Sequence, residues 1–421
     1  MVLRLSIFQI TKSLYQHLSS CRMLMKDVLG SQEVKQHLVE MVQQNRLSHA
    51  LLFLGKEGSG ALPLAIAFAQ YVVCLPPPAV ETEDLFGGMT AMSSLPQVKI
   101  PEDIVHQPGY SKADQLVHPD LHFSFPVITR KPGEKPTSKD YINEWREFVK
   151  ESPYGNVYDW LQKIGAENKQ GNITAEECND IIRKLSLKSF ESEYKILIMW
   201  MPEYLGKEGN KLLKLIEEPP PNTLFILVAE KEEQIIPTIL SRCQLVKVPP
   251  LKIEEIEKGL IHKHDIAPEA AYQIACMCEG NFHEALQMMQ HADDDWQNIL
   301  KDWLNAALQV NTANKAKIVD RINLLGREKQ KQLISYFIHL LEQSIRLNVY
   351  GAEKVLSPEN EKTIAIKLDK LATIEQRESI MKELDKAAYF VERNANGKML
   401  FMSLTIRIHY ILKHNTLMEV N

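Results

Sequence analysis

At 421 residues the chain has room for about two to four domains. With 45% hydrophobic residues, 24% charged residues and a formal net charge of -5, it is composed like an ordinary globular protein and lacks the overall basic excess of a nucleic-acid-binding chain. Its six cysteines, Cys21, Cys74, Cys178, Cys243, Cys276 and Cys278, include no C-x-x-C pair, which points to reduced thiols and a cytoplasmic location. No apolar run reaches the ~18 residues of a membrane span.

Residues 1–22 carry no sustained pattern, and Arg4 and Lys12 are not followed by the continuous apolar stretch of an export leader. Organised patterning starts near Met25, after a second methionine at Met23, so residues 1–22 are expected to be an extension outside the fold. Ser31 is placed to cap a helix with apolar positions Val34, Leu38, Met41 and Val42. The run from Ala50 to Leu54 reads as a buried strand and Pro63 to Cys74 as an apolar helix. From Leu75 to Val117 the period is lost in prolines, glycines and acids, and the stretch reads as an insertion.

A strand is expected over 121–128 and a helix over 141–150, then a helix opened by a Thr174/Glu177 capping box and running through Leu187. Tyr194 to Met201 and Thr223 to Ala229 are continuous apolar runs suited to central parallel strands, with a helix from Lys207 to Glu218 between them. A short helix over 236–243 and a strand over 244–248 complete a parallel, doubly wound α/β pattern. Beyond Leu251 only helical periods remain, at 252–264, 267–279 and 282–292 and then to the end. Boundaries are expected near Pro249-Pro250 and near Asp293-Asp294-Asp295.

Between the first strand and its helix lies Gly55-Lys56-Glu57-Gly58-Ser59-Gly60-Ala61-Leu62. A phosphate loop G-x-x-x-x-G-K-[ST] wraps phosphates with backbone N–H groups, pairs them with its Lys and holds magnesium with its Ser/Thr. Here Gly55, Gly58 and Gly60 supply the glycines, but Ala61 stands for the Lys and Leu62 for the hydroxyl. Losing those contacts weakens nucleotide binding by about two to four decades. A glycine-rich strand-to-helix turn unrelated to nucleotides has the same local signature.

Further along stand Asn210-Lys211-Leu212-Leu213-Lys214-Leu215-Ile216-Glu217-Glu218-Pro219-Pro220 and, about twenty residues on, Ser241-Arg242-Cys243. In these motifs the chain resembles the delta-prime family of bacterial DNA polymerase III clamp-loader AAA+ subunits, with motifs over about Met23 to Gln290. The resemblance implies an AAA+ P-loop-type parallel sheet core over 23–250 with the 75–117 insertion. A small helical lid over 251–294 and a C-terminal helical collar over 295–421 would follow.

The resemblance also implies a non-catalytic stator in a hetero-oligomeric ring with motor subunits and a clamp-opening subunit. That ring loads a sliding clamp onto primed DNA as part of the DNA polymerase III holoenzyme. In this frame Met199 and Trp200 stand where motor subunits carry an acidic pair, Ala229 where they carry a polar sensor, and His283 where they carry a lid arginine. Arg242 is then the residue that acts, as an arginine finger on a neighbour's ATP, a role worth roughly three to five decades in rate. A structural ion pair is the plainer role for Arg242. Cys243 reads as a small packed residue, with no histidine or metal partner beside it.

Many relatives in this family carry a four-cysteine zinc module after the first core helix. Only Cys74 stands here, and His106, His118 and His122 do not complete a ligand set with it, so no metal and no cofactor are expected. Two other readings stay open on sequence: an active AAA+ ATPase with atypical nucleotide motifs, and a nucleic-acid-binding module, which the charge disfavours.

Overall fold

The computed structural model describes residues 23–76, 81–83, 89–91, 98, 100–129, 133, 135–166, 171–290, 296–309, 312–350, 359–392 and 395–414. The extension expected at 1–22 lies outside the described residues. The chain divides into two units, Met1–Gln287 and Met288–Asn421.

In the first unit, α1 (Gln32–Gln43) buries Leu38 and Met41 as its period requires. Ser31 does not cap it by side chain: it sits in the left-handed region at φ 53 and makes no cap bond. β1 (Ala50–Leu54) leads through the glycine loop into α2 (Ala61–Val73), whose residues are all buried. A helix apolar all round belongs inside a core, and α2 lies against the sheet there.

A short antiparallel pair, β2 (Glu81–Glu83) and β3 (Met89–Ala91), follows. The later part of the stretch read as an insertion folds into the core. It holds a 3-10 turn at Pro101–His106 and α3 (Tyr110–Asp114), and buries Ile104, Tyr110, Ala113 and Leu116. Gln70 of α2 donates to the Ala113 carbonyl at 3.2 Å.

β4 (Leu121–Ser124) is shorter than the run that announces it. After α4 (Ile142–Glu151) and α5 (Val157–Lys163), α6 (Ala175–Leu185) starts at Thr174, whose Oγ1 accepts the Glu177 N–H at 3.1 Å. The other half of the expected box is not made. Glu177 is buried and accepts the Ser138 N–H at 2.7 Å, and burial raises its pKa.

β5 (Lys195–Trp200) and β6 (Thr223–Ala229) are buried throughout, as central parallel strands are. Between them a 3-10 segment, Pro202–Leu212, breaks at Gly206 and leaves only α7 (Leu213–Glu217) as α-helix where one long helix is expected. α8 (Pro237–Leu240) and β7 (Gln244–Lys247) close the sheet. The five strands run parallel in the order β4-β5-β6-β1-β7, with Leu52 opposite Leu227 and Ile198 opposite Ile226. Side chains alternate across it: Ile196, Ile198 and Trp200 join the α2 face, Leu197 and Met199 the α6 face.

Three helices follow, α9 (Ile253–His264), α10 (Pro268–Met277) and α11 (Phe282–Gln290). They share a small core of Leu251, Ile256, Leu260, Ala275, Cys278 and Phe282, into which Tyr154 also packs.

The second unit is helical: α12 (Trp296–Leu308), α13 (Thr312–Asn323), α14 (Arg327–Tyr350), α15 (Glu359–Leu371), α16 (Ile374–Glu392) and α17 (Gly397–His414). Its core centres on Trp303, edge-on to Phe337 and Phe401, with its indole N–H donated to Thr405 Oγ1 at 2.8 Å. Arg377 is 1% exposed, bonds Ser344 and pairs with Asp369 at 2.9 Å.

Candidate functional site

Strands running the same way bring their carboxyl ends to one edge of the sheet, where open α/β folds bind ligands. Here β1, β5 and β6 end at Leu54, Trp200 and Ala229, and a cleft opens among the glycine loop, Pro153–Gly155, Trp200, Met201 and Glu230. Its free volume is about 30 Å3, room for a water or two. Sites for small molecules run to roughly 300–1,000 Å3.

The cleft holds neither side chain of a working phosphate loop. Gly60 precedes α2, and Ala61 and Leu62 are its first residues, 7% and 5% exposed. Backbone N–H groups at the helix start remain to attract an anion, with Lys56 on the loop before them.

Met199 is not at the cleft. It faces the other side of the sheet among Leu197 and Leu227, and the pair bordering the cleft is Trp200 and Met201. Trp200 packs on Trp145 at 5.1 Å and Phe148 at 5.8 Å between ring centroids, and Met201 turns the chain at φ 58. Neither offers a magnesium ligand. Ala229 is buried at the end of β6, and the next peptides are held by Glu203, whose Oε1 accepts the N–H groups of Glu230 at 2.7 Å and Lys231 at 2.9 Å. Burial raises the Glu203 pKa.

The chain itself fills the space, through residues that sequence reasoning passed over. Glu57 Oε1 accepts the side-chain amides of Asn156 at 3.2 Å and Asn281 at 3.4 Å. The Gly58 carbonyl accepts the Phe282 N–H at 3.1 Å, and a Cβ on Gly58 would stand 1.8 Å from Asn281 Oδ1. Tyr154 lies edge-on to Phe282 at 4.9 Å, accepts the Leu29 N–H at 2.8 Å and reaches within 3.0 Å of a Cβ built on Gly60. His283 Nε2 is 3.3 Å from Asp159 Oδ2 and 2.8 Å from Gln287 Nε2. The three-helix segment is thus fastened to the loop by direct contacts. A carboxylate, Glu57, borders the cleft where phosphates would otherwise sit. The acid inside the glycine loop was the one signal available in the sequence.

Arg242 lies between α8 and β7, at the amino-terminal edge of the parallel sheet and so at the opposite end of the strands from the cleft. Its Nη1 donates to the Thr238 carbonyl at 2.7 Å and to Ser241 Oγ at 3.2 Å, and its Nη2 pairs with Glu217 of α7. The side chain remains 34% exposed. It cannot serve the cleft of its own chain. Burial pushes the neighbouring Cys243 thiol up to about 11, which keeps it unreactive at neutral pH.

Of the residues weighed as zinc ligands, burial pushes Cys74 up to about 12 and His122 down to about 4, and lowers His118. His118 is engaged with Asp120 and Glu191. Among the described residues no three His, Cys, Asp or Glu side chains are grouped to hold a metal ion.

The family described as "DNA polymerase III, delta subunit" matches residues 30–85 and 106–252, leaving out a segment inside the stretch read as an insertion. The delta-prime subunit of DNA polymerase III from Bacillus subtilis is 26% identical over 60% of this chain and 57% of its own length. The tau subunit of Escherichia coli is 28% identical over 28% of this chain and 19% of its own. The chain therefore spans just over half of the first relative and about a fifth of the second. A solved Bacillus subtilis clamp-loader delta protein aligns over 90% of this chain and 100% of its own at 14% identity, with a TM-score of 0.30. By these matches the chain is similar to delta-subunit-like proteins of the DNA polymerase III clamp-loader family, its delta-prime, gamma and tau chains among them.

Proposed function

We propose that this protein is a delta-prime-type stator of a DNA polymerase III clamp loader: a cytoplasmic subunit that hydrolyses no ATP and donates Arg242 to the ATP site of a neighbour. The observation that carries this reading is the separation of the two ends of the sheet. At the carboxyl end the nucleotide cleft is narrow, has Ala61, Leu62 and Trp200 where the lysine, hydroxyl and acidic ligand of a working site would stand, and is lined by Tyr154 and by Glu57, which the Asn281 amide holds. At the amino end a guanidinium stands half-exposed in the S-R-C turn, out of reach of that cleft.

On this reading residues 251–294 are a lid held in one orientation without nucleotide, and 295–421 a collar that joins motor and clamp-opening subunits in the ring. Clamp and primed DNA are engaged through the complex. The kinship with gamma and tau chains favours a second reading, an ATPase with atypical motifs. The contents of the cleft speak against it.

The test is a complex reconstituted with wild-type chain or with Arg242→Ala. DNA-stimulated ATP turnover should fall while assembly survives. Arg242→Lys should rescue poorly, because an ammonium lacks the planar fork that a guanidinium offers to phosphate oxygens. Equal turnover for wild type and Arg242→Ala would leave Arg242 with a structural role only.

A further inference from the structure

The guanidinium that the reading above assigns to a neighbour's ATP is already spoken for within its own chain. Arg242 Nη2 is paired with the Glu217 carboxylate, and Nη1 is shared between the Thr238 carbonyl and Ser241 Oγ. These contacts differ in kind. Thr238 and Ser241 belong to the same turn as Arg242, accept from Nη1 alone and carry no charge. Glu217 comes from α7, a different element, and puts a negative charge on the group that must meet phosphate.

We propose that Glu217 is an intramolecular stand-in for the phosphate. It holds Arg242 folded back on its own chain and must be displaced for the arginine to engage a neighbour's nucleotide. The inference rests on the trans-acting reading of Arg242. The exchange is one anion for another on the same donor: the carboxylate leaves Nη2 and a phosphate oxygen replaces it, with no covalent change. A multiply charged phosphate outcompetes a single carboxylate. The carboxylate is 43% exposed and returns to water easily, so the restraint is weak enough to release: pairs of this exposure are worth a factor of about 1.5 to 5 in an equilibrium. Thr238 and Ser241 stay in place as the hinge of the movement.

The experiment is the same reconstituted complex carrying wild-type chain, Glu217→Gln, Arg242→Ala or both substitutions, with ring assembly checked for each. The part of ATP turnover that Arg242→Ala removes is the part that Glu217→Gln should enlarge, by about 1.5- to 5-fold at low salt. The gain should shrink as salt screens the pair, and should vanish in the double substitution. If Arg242→Ala lowers turnover while Glu217→Gln equals or falls below wild type, the inference fails and the trans role stands. A gain from Glu217→Gln that persists without Arg242 also overturns it, since Glu217 would then act elsewhere. If Arg242→Ala changes nothing, the reading and the inference fall together.

Discussion

Gly58 is where the three-helix segment presses on the glycine loop, and Gly58→Ala should break that contact. The residue sits at φ +69, where a side chain costs roughly 1–2 kcal/mol. An added Cβ would meet Asn281 Oδ1 at 1.8 Å and the Phe282 backbone nitrogen at 2.8 Å. The asparagine can turn away, at the expense of its bond to Glu57, but the backbone nitrogen cannot. The turn must retreat, taking with it the Phe282 N–H bond to the Gly58 carbonyl, worth about 0.5–1.5 kcal/mol. Together these come to about 1.5–3.5 kcal/mol, or a fall of roughly 3–14 °C in the thermal midpoint of a unit this size. Gly165→Ala is the control: its φ is +78 but nothing lies within 4 Å of its Cβ, so only the backbone term applies. Thermal melts of both variants, with amide hydrogen exchange read over residues 278–290, measure the difference. Equal midpoints for the two variants and unchanged exchange at 278–290 would show that the helices do not lean on the loop.

Calorimetry of the isolated chain should show no magnesium-dependent ATP binding tighter than about 100 µM, and Ala61→Lys with Leu62→Thr should not restore it, because Tyr154 and the Glu57 carboxylate, held by Asn281, still line the cleft. Sub-micromolar binding by either chain would overturn the stator reading. A second expectation concerns pH. Burial lowers His122 from 6.5 to about 4, so between those values the unfolded chain binds more protons and stability falls as pH falls. The loss amounts to about 3 kcal/mol by pH 4, and His122→Gln should flatten that part of the curve; denaturant midpoints from pH 7 to 4 check it, and parallel curves would refute the assignment.

The sheet was legible because its central strands are buried on both faces. Tyr194 to Met201 and Thr223 to Ala229 are unbroken apolar runs, and each appears as a strand within a residue or two of its expected ends. The helical period likewise announced α9 to α11 and the helical second unit. What failed were features set by geometry rather than composition. Ser31 has the right residue type for a cap, but its backbone is left-handed and its hydroxyl has no cap to make. The stretch from Lys207 to Glu218 has a helical pattern, yet Gly206 breaks the chain and most of it winds as 3-10 turns. Met199 and Trp200 were read as a pair at the acidic positions, but neighbours along a strand face opposite sides, and it is Trp200 and Met201 that border the cleft.

The contacts that close the cleft were out of reach for another reason. Glu57 meets Asn281 across 224 residues and Asn156 across 99, and no local period records such a pairing. They also account for a loop that keeps its glycines and loses its phosphate ligands. The lysine and hydroxyl of a phosphate loop act on nucleotide alone, and on the stator reading Ala61 and Leu62 serve better by packing at the start of α2. The glycines have a second employer. Gly58 admits the Asn281–Phe282 turn and Gly60 admits Tyr154, each at a distance no side chain would allow without movement. A larger residue at Gly58 would push back the Asn281–Phe282 turn, and one at Gly60 would crowd Tyr154. The loop is therefore maintained by packing against its own chain, and Arg242, the residue proposed to act on a neighbour's nucleotide, stands at the other end of the sheet.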